Sequence, residues 1–537
     1  MSVANLVNPA WRPQLPRLPF LGELKHYTRG DFRRDIIAAT TLTLVSIPQA
    51  IGFSLILGLP PMTVITSVVV GGFVSAWFFS SRHHVFGPTT SVSLITAATI
   101  AANPEPQLHP LQLAAYLAFL IGIIQFTAGL CNFGEVTKFI SRSVVVGYTT
   151  AIGVLLMASQ LHNWAGFESP AGQSFLANLR DLDYSVFTKA ISWADIAIGA
   201  ATLLIFYVVK RYRPHWPEAL IGLGTLGIAA RLLAWVHPNL PFRLVKDEGA
   251  LSAALPKLTH LPDLATQLHI LPGLINTALA IAIIGMLEAT AITKSLAAKS
   301  GQHLDPNQEL MGMGAGNIAA GLFGVPPGSS SFTRSAVNFQ CNAASQLSSM
   351  LSSGVVLVIL LFFTPIFNYI PLAALAAHLV RVGYHLINRA QIRISTRATR
   401  SDAIVFFCTL GTALFLKLDT AIYVGIGVAL ALYLQKSSTP TLAEYTFNAG
   451  GHLTELRDTD DRLNPQISII HVEGALYFGA ADLFQNQMRQ LAEDQNIRIG
   501  SLRMRSARHL DDSTVKALEA FHDYLRKTDR YLFISGC

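Results

Sequence analysis

Long apolar runs, separated by short polar loops, fill the chain between residues 35 and 436. A helix needs about 20 mostly apolar residues to span a bilayer. Clear candidates are 35–56, 61–80, 112–131, 143–161, 192–209, 218–236, 270–293, 346–364, 371–388, 402–416 and 419–435. With the shorter or more polar stretches 88–101, 309–323 and 329–340, the pattern predicts an α-helical polytopic membrane protein of about fourteen transmembrane segments.

Residues 440–537 differ sharply from the rest of the chain in charge. They carry 25 of its 71 charged residues, although the whole chain is only 13% charged and 51% hydrophobic. Soluble domains average about 25% charged residues, so we expect a membrane body followed by a soluble tail. The predicted division is an N-terminal segment 1–34, a transmembrane domain 35–436, a linker 437–465 and a soluble domain 466–537.

Basic residues are distributed unequally between the predicted loops. With the N-terminus inside, the inside loops and N-terminal segment hold 20 Lys and Arg residues, and the outside loops hold 6. Cytoplasmic loops are enriched in Lys and Arg, and the first 34 residues have no apolar core of signal-peptide type. We therefore expect a multi-pass protein of a cell membrane, such as a bacterial inner membrane, with both termini in the cytoplasm.

Several classes of function are disfavoured by what the sequence lacks. The four cysteines show no metal-ligand spacing and no disulfide framework. The membrane body shows no P-loop, no metal-ligand cluster and no nucleophile–base pair, so we expect neither an enzyme nor a bound metal or cofactor. The net charge of +7 comes from the membrane body, where it serves orientation, and does not indicate nucleic-acid binding.

Two short segments occupy matching positions in the two halves of the membrane body, 35–236 and 270–436. Segment 88–101 follows Gly87-Pro88, segment 329–340 follows a Gly- and Pro-rich stretch, and each is third in its half. With seven segments per half, the halves have opposite topology, and such paired interrupted segments mark the central site of a transporter. Helix N-termini that begin within the membrane favour a small anion. The alternative is plain helix capping by Thr and Ser.

The tail alternates between strand and helix patterns. Strand patterns cover 467–472, followed by the stretch 474–479, and then 498–504 and 530–535, and helical patterns cover 481–493 and 512–527. This alternation predicts a small α/β domain.

Four stretches in the membrane body, taken together, resemble the SulP family of anion transporters, whose animal branch includes pendrin and prestin. They are 47–53 with 57–61, 81–88, 285–299 with 305–310, and 328–338. The resemblance implies fourteen segments in two inverted seven-segment repeats, arranged as core and gate domains, with an elevator-type mechanism and a homodimer. It also implies that the tail is a STAS domain. A full STAS domain continues through another helix and strand, so we expect a short or incomplete one here.

The resemblance places the anion between the two short segments, with side chains from the first helix. The residues implicated are Gln49, Phe53, Thr89, Thr90, Ser331, Thr333 and Arg334. The residues themselves agree, because an amide such as Gln49 in an apolar helix needs a partner, although a helix–helix hydrogen bond would also satisfy it. Phe53 could simply pack, and sulfate-transporting members often have Tyr at its position.

Arg334 and Glu288 are charged residues inside predicted membrane segments, which makes both candidates for function. Arg334 could set the electrostatic field of the site, or it could pair structurally with a carboxylate or with carbonyls. Burial favours the neutral form of Glu288, so this carboxyl could carry a coupling proton. Family members coupled to protons or sodium have a carboxylate here, and Ile292 stands where a bicarbonate-transporting relative has a hydroxyl, which favours the proton. The alternative is an ion pair of Glu288 with Lys294 or Arg334.

The sequence thus predicts a secondary active transporter of a small anion, of the sulfate, bicarbonate, chloride or dicarboxylate class. Proton-coupled symport is the first hypothesis, and an uncoupled anion channel or an exchanger of the same fold is the alternative. His83 and His84, at a predicted cytoplasmic turn, are interpreted as interface residues, with a ligand role as the alternative. Ser513, in the Asp512-Ser513-Thr514 turn, is a possible regulatory site, because the related anti-sigma antagonists are phosphorylated there; an ordinary N-cap is the alternative.

Overall fold

The chain forms two compact units, Met1–Ile426 and Gly427–Cys537. The computed structural model describes residues 18–102, 108–134, 141–166, 192–213, 218–236, 242–248, 257–258, 264–302, 304–416, 418–437, 441–447, 452–456, 464–476, 484–486, 488, 496–508 and 512–536. The first unit is helical, and the second is built around a β-sheet.

Helices account for nearly all of the described residues in the first half of the membrane body. They are α1 (Pro19–Glu23), α2 (Arg29–Leu57), α3 (Pro61–Phe78), α4 (Thr90–Ala102), α5 (Pro110–Leu130), α6 (Arg142–Ala165), α7 (Trp193–Tyr212) and α8 (Glu218–Val236), with the short strand β1 (Phe86–Gly87) before α4.

The second half repeats this order, with a short strand again preceding its third apolar helix. Its elements are α9 (Leu264–Ser300), α10 (Pro306–Leu322), β2 (Ser329–Ser330), α11 (Phe332–Gln340), α12 (Leu347–Phe367), α13 (Leu372–Leu386), α14 (Arg389–Arg397), α15 (Arg400–Phe415) and α16 (Leu418–Ser437).

Each predicted membrane segment corresponds to one of these helices. Among the described residues, seven helices are long and apolar enough to cross a membrane by length and composition, namely α2, α3, α5, α6, α7, α8 and residues 271–297 of α9. Membrane crossing by all fourteen segments therefore stays a prediction. Helix α14 is different: it is a short amphipathic helix in a stretch that the sequence reading treated as a basic loop.

The start and the interruption of α2 follow from single residues. Thr28 and Asp31 form a reciprocal capping box, and Gly58 ends the helix in the left-handed conformation, at φ 62°. Pro48 lies inside the helix and has no N–H to donate. The carbonyl of Leu44, four residues earlier, is therefore left without its helical N–H donor.

Two sets of helices pack mostly among themselves. In one set α10 packs against α3 and α5, α12 against α2 and α3, and α9 against α4 and α5. In the other set α6 packs against α13 and α15, and α7 packs against α8 and α13. The contact between α5 and α10 is close enough to require glycine, since a Cβ on Gly122 would lie 2.5 Å from the backbone nitrogen of Ile318.

The second unit is a five-stranded sheet, made of β3 (Thr441–Phe447), β4 (Leu453–Glu455), β5 (Ile467–Ala475), β6 (Ile499–Arg508) and β7 (Tyr531–Ser535) in the order β4-β3-β5-β6-β7. Strands β5, β6 and β7 are parallel, whereas β3 is antiparallel to both of its neighbours. Helix α17 (Asp512–Lys527) connects β6 to β7 and buries Phe521 and Leu525 in the core. The tail is therefore an α/β domain, as predicted.

The sequence reading and the structure differ in detail along this sheet. The segment 437–465, predicted as a linker, contains β3 and β4. The predicted strand 467–472 continues in β5 to Ala475, and residues 477–479 of the stretch that follows it lie outside the described residues. Residues 484–486 and 488 are helical within the predicted helix 481–493, and the rest of that helix lies outside the described residues.

Candidate functional site

The two short helices α4 and α11 begin from a shared strand pair. Phe86 pairs with Ser330, and Gly87 pairs with Ser329, in an antiparallel ladder. One or two residues beyond the ladder, each strand continues into its helix. The N-termini of α4 and α11 therefore follow directly from two paired strands. The free N–H groups of the two first turns carry partial positive charge at this point.

Thr89 and Ser331 hold equivalent capping positions. The carbonyl of Thr89 accepts the first helical bond of α4 from Ser93, at 2.9 Å. Ser331 is the N-cap of α11, where its hydroxyl accepts from the backbone N–H of Arg334 at 3.4 Å. The capping role that was the alternative for these hydroxyls is therefore present for Ser331. Its bond is long, which leaves the hydroxyl able to serve a second partner.

Asn317 on α10 fixes the chain that leads into α11. Its amide accepts from the N–H of Gly328 at 2.8 Å and donates to the Gly328 carbonyl at 3.0 Å. It also donates to the side chain of Gln125 at 2.9 Å. The sequence reading missed both residues, although two amides in Gly- and Ala-rich or apolar helices were a visible signal.

Glu288 on α9 lies where the two short helices meet. Its carboxylate accepts from Ser91 on α4 at 2.5 Å, from Ser329 on β2 at 2.9 Å, and from Thr89 at 3.5 Å. No basic side chain forms an ion pair with Glu288 within the described part of the chain, which argues against the predicted alternative of a pair with Arg334. The side chain of Lys294, the other predicted partner, lies outside the described residues.

Arg334 is almost fully buried and reaches across to the start of α4. Its Nη2 donates to the Pro88 carbonyl at 2.9 Å, and its Nε has no hydrogen-bond partner among the described residues. A Cβ on Gly87 would lie 2.5 Å from Nη1, so this approach requires glycine, which also adopts a φ of 152° there. The carbonyl contact is the structural pairing foreseen as the alternative, and it fixes a positive charge beside the N-terminus of α4.

Gln49 and Phe53 lie on α2, which packs against both α4 and α11. Gln49 is half-buried, and its amide has no hydrogen-bond partner among the described residues. The helix–helix hydrogen bond considered as its alternative is therefore not seen there. Phe53 is buried in the largest apolar cluster of this unit. Its surroundings therefore agree with plain packing, which is the simpler interpretation of this residue.

Thr90 and Thr333 stand at the first turns of the two short helices and differ in exposure. Thr90 is buried, whereas Thr333 and its neighbour Phe332 are exposed. The described contacts thus bring Thr89, Arg334 and Glu288 into one network, with Ser331 capping the adjoining helix. Gln49, Phe53 and Thr333 have no described hydrogen bond to that network.

Another carboxylate, Glu309 on α10, is fully buried in the same unit, whereas Glu288 is half-buried. It pairs with Nδ1 of His84, and its other oxygen accepts from the Ser80 hydroxyl at 2.5 Å and the Ser81 N–H at 2.8 Å. The ring of His84 stacks on Phe79. His83 is also buried and packs edge-on against Phe339. Both histidines therefore lie at buried contacts between elements, and His84 is in addition the partner of Glu309.

In the second unit, Ser513 is exposed in the first turn of α17. Its neighbour Asp512 accepts a hydrogen bond from Lys516 at 2.7 Å, which raises the pKa of that ammonium group. Thr514 is buried and donates to the carbonyl of Leu476. The three residues of this turn therefore have different surroundings, and only Thr514 is part of the core.

The sequence matches the sulfate permease family over residues 32–409 and the STAS domain over residues 459–537. It is 28% identical over 529 residues to "Sulfate transporter 4.1, chloroplastic" of Arabidopsis thaliana, covering 94% of this chain and 75% of the relative. It is 28% identical over 451 residues to the "Sodium-independent sulfate anion transporter" of Bos taurus, covering 79% and 73%.

The fold is similar to that of the murine Solute Carrier 26 family member A9 anion transporter in the inward-facing state. The TM-score is 0.83 at 18% sequence identity, covering 96% of this chain and 87% of that structure. The match to the sulfate permease family spans well over half of the sequence and includes α4 and α11. The match to the STAS domain falls on the sheet of the second unit. This chain therefore belongs to the sulfate permease family of membrane anion transporters, with a C-terminal STAS domain.

Proposed function

We propose that this protein is a secondary active transporter that moves a small anion together with a proton, and that Glu288 carries the proton. The observation that carries the proposal is the set of hydroxyl donors around this carboxylate. Its Oε1 accepts from the hydroxyl of Ser91 in α4, and its Oε2 accepts from the hydroxyl of Ser329 in β2, the strand before α11. Coupling site and anion site would then share their hydrogen-bond donors.

The shared donors supply a physical mechanism for coupling. A charged Glu288 holds the hydroxyls and repels an incoming anion. A proton on Glu288 removes the negative charge and frees donors that can turn towards the anion. Proton and anion would therefore favour each other's binding, and this coupling is reciprocal.

The anion is proposed to bind at the N-termini of α4 and α11. Thr90 and Ser331 would contribute hydroxyls, Gln49 its unpartnered amide, and Phe53 an apolar wall. Thr333 would face the anion when it enters from the exposed side of the first turn. Arg334 would act through its field, because its guanidinium is already fixed by the Pro88 carbonyl.

Sulfate is the first candidate for the anion. Both relatives named above are called sulfate transporters, and backbone N–H groups at helix starts read charge and size more than chemical identity. Bicarbonate, chloride and dicarboxylates belong to the same chemical range. The bovine relative's name describes it as sodium-independent, which agrees with a proton as the coupled ion.

The two packed sets of helices support an elevator-type movement. One set holds α2–α5 with α9–α12 and contains the anion site, and the other holds α6–α8 with α13 and α15. Each set therefore takes matching elements from both halves. We propose that the first set moves against the second, in a homodimer of a bacterial inner membrane, with both termini in the cytoplasm as the charge bias indicates.

The test is anion uptake into proteoliposomes that contain Glu288→Gln. A glutamine imitates the protonated side chain permanently, so the variant should bind anion and exchange it but lose accumulation driven by a pH gradient. Asp195→Asn is the matched control, because it makes the same change at a carboxyl buried elsewhere in this unit, in the first turn of α7. This control should still accumulate anion.

Two outcomes would contradict the proposal. If Glu288→Gln still concentrates sulfate in response to a proton gradient, then Glu288 is structural and the proton binds elsewhere. If the unmodified protein conducts a steady anion current without proton flux, it is a channel of the same fold. Obligatory anion-for-anion exchange without any proton dependence would identify an exchanger.

A further inference from the structure

A basic groove lies between α7 and α13, away from the proposed anion site. It encloses about 450 Å³. The residues lining it are Leu203, Tyr207, Lys210, Arg211, Arg381, Tyr384 and His385. The spacing on α7 is i, i+4, i+7 and i+8, and that on α13 is i, i+3 and i+4, so each helix contributes a single face.

The groove is apolar at one end and cationic at the other. Leu203 lies two turns before Lys210 and Arg211 on α7, and Tyr207 lies one turn before them. The side chain of Tyr207 is 68% exposed and that of Tyr384 is 56% exposed. Exposed tyrosines next to basic residues at the end of an apolar helix are typical of the level of the lipid headgroups.

The positive charges in the groove are not equivalent. Arg381 is already engaged, because it forms an ion pair with Glu218 at 2.7 Å and lies over the ring of Phe206. Lys210 and Arg211 are exposed and have no ion-pair partner among the described residues. The groove therefore presents Lys210 and Arg211, which have no ion-pair partner among the described residues, beside Arg381, which is held by its ion pair with Glu218.

Helix α14 adds positive charge close to the same end of α13. Arg389 lies over the ring of Tyr384, and Arg393 and Arg397 follow at intervals of four residues. Ile394, between them, is 60% exposed. A short amphipathic helix with a basic face and an exposed apolar residue is suited to lie at a membrane surface.

We propose that the α7–α13 groove binds the phosphate headgroup of an anionic phospholipid, which Lys210 and Arg211 contact. The chemistry recognised is a phosphodiester anion with an attached acyl chain. A free phosphate ion would use the cations alone, but Leu203 and Tyr207 provide an apolar wall that only a lipid would cover. Basic pockets between membrane helices bind such headgroups in other proteins.

The experiment is native mass spectrometry of the full-length protein released from detergent with added phosphatidylglycerol or phosphatidylcholine of matched chains. The unmodified protein should retain phosphatidylglycerol in preference to phosphatidylcholine. Lys210→Gln with Arg211→Gln should weaken phosphatidylglycerol binding about 30-fold, or about 2 kcal/mol, at about 1 kcal/mol for each basic side chain. Arg393→Gln with Arg397→Gln, which removes the same charge outside the groove, should weaken it less than about threefold.

A charge-retaining exchange, Lys210→Arg with Arg211→Lys, separates loss of binding from loss of folding and should keep phosphatidylglycerol bound. If the Lys210→Gln, Arg211→Gln variant and the Arg393→Gln, Arg397→Gln variant retain phosphatidylglycerol equally well, the groove is not the site and the proposal is overturned. Equal retention of phosphatidylcholine would overturn it by showing that charge is not recognised. Displacement of the lipid by millimolar inorganic phosphate would assign the site to a free anion instead.

Discussion

Glu309 and Glu288 are two carboxylates inside the same helical unit, the first buried and the second half-buried, and their partners differ in kind. Glu309 is paired with His84, which can carry a positive charge, and it also accepts from Ser80 and from a backbone N–H. Glu288 accepts from three hydroxyl groups and has no cationic partner in the described part of the chain.

The difference separates a structural carboxylate from one that can change state. The partners of Glu309 link the loop after α3 to the start of α10, so moving a proton there would disturb a fixed connection. Hydroxyl groups rotate freely and can donate or accept. The surroundings of Glu288 can therefore adapt to either protonation state without rearranging the backbone, which a proton carrier requires.

The largest expected effect that tests this comparison is on stability. Glu309→Gln should destabilise the protein by about 3 kcal/mol, because both carboxylate oxygens accept from buried donors. An amide keeps only one accepting oxygen, so a buried N–H donor on one side of the residue loses its partner and the attraction of a negative charge. Glu288→Gln should change stability by about 1 kcal/mol or less, since an amide oxygen still accepts from the hydroxyls. Thermal unfolding of both purified variants in one detergent measures the contrast.

A control identifies the pair as the cause. If Glu309 acts through His84, then the combined His84→Ala and Glu309→Gln variant should lose much less than the sum of the single losses. Equal unfolding temperatures for Glu309→Gln and Glu288→Gln would break the distinction between the two carboxylates.

The sequence was sufficient for features that depend on local pattern. The apolar runs located the helices of the membrane body, and the bounds predicted for α17 are those observed. Gly87-Pro88 and the Gly- and Pro-rich stretch before Ser329 marked both starts of the short helices. These signals are carried by neighbouring residues, so no partner elsewhere in the chain is needed to recognise them.

Partners that are distant in sequence were beyond its reach. Glu309 meets His84 across 225 positions, and Glu288 meets Ser91 across 197. Nothing in the sequence on either side of these two acids indicates which of them has a histidine as its partner. The strand β3 was missed for the same reason, because its polar segment is defined by pairing with β5.

A smaller effect is expected from Arg334, the cation nearest in the network to Glu288. Arg334→Gln should weaken anion binding on the order of tenfold, because a charge about 10 Å from the anion contributes on the order of 1–2 kcal/mol at an effective dielectric constant of about 20. Arg334→Lys retains the charge and should bind within about threefold of the unmodified protein. Isothermal titration with sulfate measures both affinities.

The arrangement also allows a purely structural result for Arg334. Its Nη2 bond to the Pro88 carbonyl ties α11 to the start of α4. If both Arg334→Gln and Arg334→Lys aggregate during size-exclusion chromatography, the residue holds α11 and the start of α4 together, and its electrostatic role is disproved. A monodisperse Arg334→Gln with normal sulfate affinity would also disprove it.

The smallest effect is expected from removing the second unit. Truncation after Lys436 deletes the sheet, which begins at Thr441, and leaves Glu288, Glu309 and their described partners unchanged. The truncated protein should therefore still take up sulfate in proteoliposomes, and it should show the same difference in unfolding temperature between Glu309→Gln and Glu288→Gln. Loss of oligomeric state or of regulation would be compatible with this result, because both concern the tail. If the truncated protein stays monodisperse but binds no anion, then the tail is part of the transport machinery, and the comparison of the two carboxylates must be made in the full chain alone.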